Sequence, residues 1–256
     1  MLINFCVCVI LNRVLCGGDD MIPKKINYCW FGRSPLPARA RRCIESWRRF
    51  CPGYEIVEWN EDNFDISSNG YTKMCAKSGK YAFLSDYVRL AVVYEHGGLY
   101  FDTDVEVVRA LTPLLGHDAF FGFETDKYVA TGLGFGAEAG NPVVGAMLRE
   151  YHPLFDGKSG VVGCPVLNTR ALQALGLRLD GSYQELDGAA VYPSDRFNPY
   201  NDATGRLYLT ENTYTIHWYS KSWMSRTAVL RSKLTRPLHR LGLGHGVRSG
   251  CRNGGV

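Results

Sequence analysis

Asp102 and Asp104 stand two residues apart near the end of the run YAFLSDYVRLAVVYEHGGLYFDTDVE, from Tyr81 to Glu106. In a strand, positions i and i+2 point to the same side, so both carboxylates can face one cation. Two hard oxygen ligands with open coordination positions suit Mg²⁺ or Mn²⁺ holding a diphosphate. Asp86 and Arg89, three residues apart in the same run, share one face of a helix. Two further carboxylates, Glu124 and Asp126, follow a strand signal downstream.

The elements that must position these groups are legible in outline. Lys25–Trp30 reads as a short apolar strand, with a helix from Pro37 to Phe50 and an alternating strand from Tyr54 to Trp59. Asn60 to Asn63 marks a loop. Ala82–Glu95 is the strongest helix, with Phe83, Tyr87, Leu90, Ala91 and Tyr94 predicted on one face and Gly97 as its left-handed stop. Leu99–Val105 is then predicted to be one strand that delivers both aspartates. Further strands are expected at Ala119–Glu124, Gly132–Ala137 and Thr213–Tyr219, and a helix over Asn141–Tyr151 opens on Asn141-Pro142. This alternation predicts one α/β domain with a parallel, nucleotide-binding first half. Ligands on such sheets sit beyond the carboxyl ends of the strands.

The bulk properties agree with a globular chain. Of 256 residues, 46% are hydrophobic and 21% charged, which excludes a disordered or fibrous protein. The nine cysteines lack paired spacing and read as free thiols of a reducing cytosol. Net charge is +4, but residues 224–256 hold seven Lys/Arg and no acid, which leaves −3 for the remainder. The tail places leucines at 230, 234, 238 and 241 among basic residues, a pattern that reads either as an amphipathic stretch for an anionic membrane surface or as a solvated, disordered end. No recognition motif accompanies this charge, so nucleic acid is not an expected partner. The first sixteen residues are too short an apolar run to span a bilayer, and residues 1–20 read as an upstream mis-start before Met21 or as a weak anchor.

A lone DxD carries little information, because composition alone produces one every few hundred residues. A hydrophobic run before DxD also opens phosphatases that form an aspartyl-phosphate, with the first Asp as nucleophile. Those enzymes place Thr or Val two positions after the second Asp, where this chain has Glu106. A third class is a non-catalytic carbohydrate-binding protein that retains the motif without its chemistry.

The extended string from Ser85-Asp86-x-x-Arg89 through Tyr94-x-x-Gly97-Gly98-x-Tyr100-x-Asp102-x-Asp104 resembles the sugar-transfer region of glycosyltransferase family 32. IPKKINYCWFG at 22–32, CIESWRRFCPGYEIVEWNEDNFD at 43–65, TGLGFGAEAGNP at 131–142 and TENTYTIHWYSKSW at 210–223 extend the likeness. They look most like the capsular-polysaccharide branch, beside the initiating mannosyltransferases and, more distantly, the clostridial glucosylating toxins.

The resemblance implies a GT-A fold over residues 21–223, with a Rossmann-like half in a mixed sheet. It also implies a UDP- or GDP-hexose donor, a divalent ion and retention of anomeric configuration. Asp86, Arg89, Asp102 and Asp104 would be the catalytic residues. Trp30 would stack on the nucleobase, Asp86 accept sugar or ribose hydroxyls, and Arg89 hold a sugar hydroxyl or phosphate. Tyr100, Asp102, Ser222 and Trp223 would also line the nucleotide-sugar site, with Lys221 adding charge near the diphosphate. Asp102, Asp104 and His217 would hold Mn²⁺ or Mg²⁺. Ala130 stands where relatives usually have Asn, which weakens acceptor contacts carried over to Thr131 and Gly132. The implied function is hexose transfer to a glycan or lipid-linked saccharide in cell-surface polysaccharide synthesis. The implied place is the cytoplasm, peripheral at the inner membrane face.

Overall fold

The computed structural model describes residues 21–220 and Thr227. Nine strands come first in chain order: β1 Lys25–Cys29, β2 Glu55–Trp59, β3 Gly98–Tyr100, β4 Val105–Val107, β5 Ala119–Thr125, β6 Tyr128–Val129, β7 Phe135–Ala137, β8 Gln184–Leu186 and β9 Ala189–Tyr192. Three short ones follow, β10 Tyr200–Asn201, β11 Arg206–Leu207 and β12 Thr215–His217. The helices are α1 Ala38–Phe50, α2 Gly70–Lys77, α3 Tyr81–His96, α4 Pro142–Arg149 and α5 Cys164–Ala174.

The main sheet runs β2-β1-β3-β7-β5-β9-β8, with β6 paired to β5. Strand β1 is parallel to β2 and β3, whereas β7 is antiparallel to β3 and β5. The expected α/β architecture, a parallel Rossmann-like half continued into a mixed sheet, is therefore present. Its two faces carry separate cores. Helices α3, α4 and α5 cover Phe121, Phe123 and Phe135 on one side, while Trp47, Phe101, Phe120 and Phe197 pack on the other. None of the helices among the described residues is long and apolar enough to cross a membrane.

Helix α1 buries Ala40, Cys43, Ile44 and Trp47, the three-and-four spacing of an amphipathic helix. Helix α3 departs from its predicted face. It buries Leu84, Val88, Arg89, Leu90, Val92 and Val93, and leaves Tyr94 40% exposed. The cause is cover from two sides, since the helix packs against β1 and β3 and also against α2, α4 and α5. Helices α2 and α5 were not anticipated. Helix α2 is short and capped by Asn69, and α5 buries Asn168 and Thr169 among its apolar residues, which breaks its hydrophobic period.

The predicted strand Leu99–Val105 is divided in the structure. Strand β3 ends at Tyr100, a turn closes with Val105 N–H donating to the Asp102 carbonyl at 3.0 Å, and β4 leaves to pair with β12 in a separate two-stranded sheet. The two aspartates converge because they flank a turn, not because a strand alternates. Residues 1–20, Lys221, Ser222, Trp223 and all of the basic tail except Thr227 lie outside the described residues, as do Cys6, Cys8, Cys16 and Cys251. The five described cysteines are free and buried, in line with the thiol reading.

Candidate active site

Three supports fix the DxD turn. From β1, Asn27 Nδ2 donates to the carbonyls of Gly97 and Leu99 at 3.3 and 3.1 Å, while its Oδ1 accepts from Trp59 Nε1 at 2.9 Å. This buried amide ties β2, β1 and the Gly97-Gly98 turn into one unit. Both glycines adopt positive φ, +67° and +102°, and a Cβ on Gly98 would stand 2.8 Å from the Lys25 carbonyl oxygen. From α1, Trp47 Nε1 donates to the Val105 carbonyl at 2.7 Å, and Ser46 Oγ accepts from Val107 N at 2.9 Å. The third support is Gly132. Its carbonyl accepts from Asp102 N at 3.3 Å, and a Cβ there would meet Asp102 Oδ2 at 2.4 Å.

Arg89 is the centre of one half of the site. Its Nη2 lies 3.0 Å from Asp86 Oδ1 and 2.8 Å from Asp102 Oδ1, its Nη1 donates to Cys164 Sγ at 3.5 Å, and the guanidinium stacks over the Tyr100 ring. Burial raises the Asp86 and Asp102 carboxyls above their ordinary values, with Arg89 opposing the shift in both. For Arg89 itself burial favours loss of the proton, but Asp102, Tyr100 and Asp86 outweigh it and hold the guanidinium charged. Tyr100 is fully buried and donates its hydroxyl to Asp102 Oδ1 at 3.0 Å. It therefore supports Asp102 from beneath.

The other half is the strap formed by β12 and the three residues after it. His217 Nε2 lies 3.2 Å from Asp104 Oδ1, Ser220 N donates to Asp104 Oδ2 at 2.6 Å, and Trp218 N donates to the Asp104 carbonyl at 3.0 Å. Burial alone would raise the Asp104 carboxyl, but His217 and Ser220 hold it well below the usual carboxylate range. Burial would lower His217, yet Asp104 raises it above its ordinary value.

Asp102, Asp104 and His217 each offer a ligand atom, all within 4.8 Å of one another. Two carboxylates and an imidazole suit a divalent ion of the Mn²⁺ class. His217 Nδ1 is buried with no hydrogen-bond partner among the described residues. The residues present fit such an ion.

Of the other expected residues, Trp30 follows β1, half-buried, with its Nε1 donating to the Ser34 carbonyl at 2.5 Å. Thr131 is fully buried and accepts from Asn168 Nδ2 at 3.0 Å. Asp126 is in an exposed turn between β5 and β6. Sequence reasoning missed Asn27, Trp47 and Cys164. Asn27 had a visible signal, a lone amide inside an apolar strand. The others carry none without the pairing of β4 or the placement of α5.

Residues 37–121 match the family described as glycosyltransferase sugar-binding region containing DXD motif. An uncharacterized glycosyltransferase, L373, of Acanthamoeba polyphaga mimivirus is 31% identical over 143 residues, 53% of this chain and 53% of the relative. Inositol phosphoceramide mannosyltransferase 3 of Schizosaccharomyces pombe is 26% identical over 113 residues, 43% of this chain and 32% of that protein. The chain thus spans about half the length of the first relative and about a third of the second. Among solved structures, PaToxG glycosyltransferase is 16% identical, with a TM-score of 0.48 over 60% of this chain and 69% of that one. The matched stretch, residues 37–121, is the one that holds Asp86, Arg89, Asp102 and Asp104, so the likeness to a DXD-motif sugar-binding region falls on the residues that form the site.

Proposed function

We propose that this chain is a metal-dependent, retaining glycosyltransferase that moves a hexose from a UDP- or GDP-sugar to a glycan or lipid-linked saccharide in cell-surface polysaccharide synthesis. The observation that carries this reading is the meeting of Asp102, Asp104 and His217 beside the Asp86–Arg89 pair. When bound, Mn²⁺ or Mg²⁺ supplies Lewis-acid neutralisation of charge on the leaving diphosphate. Asp102, Asp104 and His217 would hold that ion. Arg89, fixed by two carboxylates, offers a preorganised positive charge to the donor. Asp86 and Asp102 present oxygens that accept hydroxyls of the donor sugar or ribose.

Retention needs either a carboxylate beneath the anomeric carbon or entry of the acceptor from the leaving-group side. We favour same-face attack, with the leaving phosphate as base. Asp126 projects from an exposed turn, which leaves Glu124 as the carboxylate to examine for a covalent adduct. Action on a lipid-linked acceptor at the cytoplasmic membrane face accords with the seven cations of residues 224–256 and with the lipid named for the fission-yeast relative. Purified protein with Mn²⁺ should hydrolyse one of the common UDP- or GDP-hexoses slowly, and Asp104→Ala should abolish this. Phosphorylation of Asp102 with turnover of simple phosphate esters would favour phosphatase chemistry instead.

A further inference from the structure

At the carboxyl end of β5, Glu124 accepts a hydrogen bond on Oε1 from the Tyr219 hydroxyl at 3.1 Å. Asn198 Nδ2 donates to the Glu124 backbone carbonyl at 3.0 Å, which fixes the same residue from a second side. Glu124 Oε2 has no partner among the described residues. Tyr219 in turn lies against His217, ring centroids 4.1 Å apart, so a single tyrosine ring separates Glu124 from the imidazole of the candidate metal cluster. Tyr219 holds φ at +48°, a left-handed backbone that a bulky side chain adopts at a cost. Neighbouring contacts sustain this conformation: Ser220 N on Asp104, Trp218 Nε1 on Glu106 and the Tyr200 ring against Trp218. The charge of Glu124 is felt at His217 on one side and at Cys164, the first residue of α5, on the other.

We propose that Glu124 binds the acceptor, and that Tyr219 and Asn198 are its positioning residues. A carboxylate with one oxygen tied and the other without a partner among the described residues is a hydrogen-bond acceptor for a hydroxyl. The substrate class that supplies a hydroxyl to Glu124 besides the one that reacts is a polyhydroxylated ring, a saccharide or an inositol. A lone protein hydroxyl does not meet that requirement. In the transfer, the reacting acceptor oxygen bonds to the anomeric carbon as the bond from that carbon to phosphate breaks. The electron pair leaves on the diphosphate, and the proton of the reacting hydroxyl ends there. Glu124 holds a second hydroxyl and takes no proton.

This inference rests on the transferase reading, and the experiment separates the two. The full chain, with Mn²⁺ and UDP-glucose or GDP-mannose, is assayed for transfer to myo-inositol and to methyl glycosides of glucose, galactose and mannose. The expected result is product with at least one of these polyols. Glu124→Gln should raise the acceptor KM about tenfold to a hundredfold, the range for a hydrogen bond to a charged group. Its melting shift with Mn²⁺ and nucleoside diphosphate should persist. Tyr219→Phe should raise the acceptor KM with little change in donor KM, a split that a merely structural role would not produce. Donor hydrolysis by the wild-type protein without any polyol product would overturn the acceptor class. A glycosyl adduct on Glu124, or loss of the nucleotide melting shift in Glu124→Gln, would overturn its role. Absence of both hydrolysis and nucleotide binding in the wild-type protein would instead reject the transferase reading.

Discussion

Trp47 donates its indole N–H to the carbonyl of Val105 at 2.7 Å, so the helix before β2 holds the strand that leaves the DxD turn. Both groups are buried, and an unpaired carbonyl would retain its full desolvation cost. Trp47→Phe keeps most of the packing and removes the donor. It should lower stability by about 1–3 kcal/mol in urea denaturation. It should also weaken Mn²⁺-dependent nucleotide binding, because the turn loses one of its three supports.

Gly132 is a matter of space. A methyl group there would fall 2.4 Å from Asp102 Oδ2 and 3.2 Å from Arg89 Nη1. Gly132→Ala should leave the far-UV circular dichroism unchanged and displace Asp102. Displacement by about 1 Å at a reacting centre costs about a hundredfold in turnover, the loss expected in donor hydrolysis.

Arg89 bridges two carboxylates from a side chain only 3% exposed. Arg89→Met would leave those charges uncompensated, and breaking a buried pair in this way costs about 3–5 kcal/mol. Adding Asp86→Asn should recover part of that loss, because the two residues are in contact and their effects are not additive. Chemical denaturation of the single and double variants gives the coupling energy.

The Asp104–His217 pair makes metal-free stability depend on pH in a defined direction. The Asp104 carboxyl is lowered in the fold, so its contribution is present above the unfolded value of about 4 and is lost as pH falls through the folded one. The His217 imidazole is raised, so its contribution is complete below about 6.5 and is lost as pH rises through its higher folded value. The pair therefore stabilises most between about pH 4 and 6.5 and fades above that window. Melting temperatures in EDTA across pH 4–9 should show this alkaline decline in the wild-type protein, and His217→Ala should flatten it.

The first strands and the DxD neighbourhood were legible because their signals are local. The apolar run of β1, the alternation of β2 and the double glycine after α3 each act within a few residues of themselves. The break between β3 and β4 was not legible. Phe101 to Val105 reads as continuous strand, and only the pairing of β4 with β12, over a hundred residues later, shows that the chain turns there. Convergence of the carboxylates was thus foreseen correctly from an incorrect geometry. The buried face of α3 was misjudged for a related reason. Periodicity identifies one apolar stripe, whereas this helix is covered from two sides and buries a charged Arg89 that is partnered across the chain by Asp102. Tyr219 had no sequence signal at all, since neither its positive φ nor its bond to Glu124 follows from residue type.

The central claim is that Asp102, Asp104 and His217 form a metal site for a nucleotide sugar. The most direct test is the melting temperature of the purified chain with UDP- and GDP-hexoses, with and without Mn²⁺. At a hundredfold excess over Kd, binding should raise it by about 5 °C or more for a chain of this size. That shift should need both Mn²⁺ and nucleotide sugar, and should vanish in Asp104→Ala. Equal shifts without Mn²⁺, or an undiminished shift in Asp104→Ala, would contradict the account.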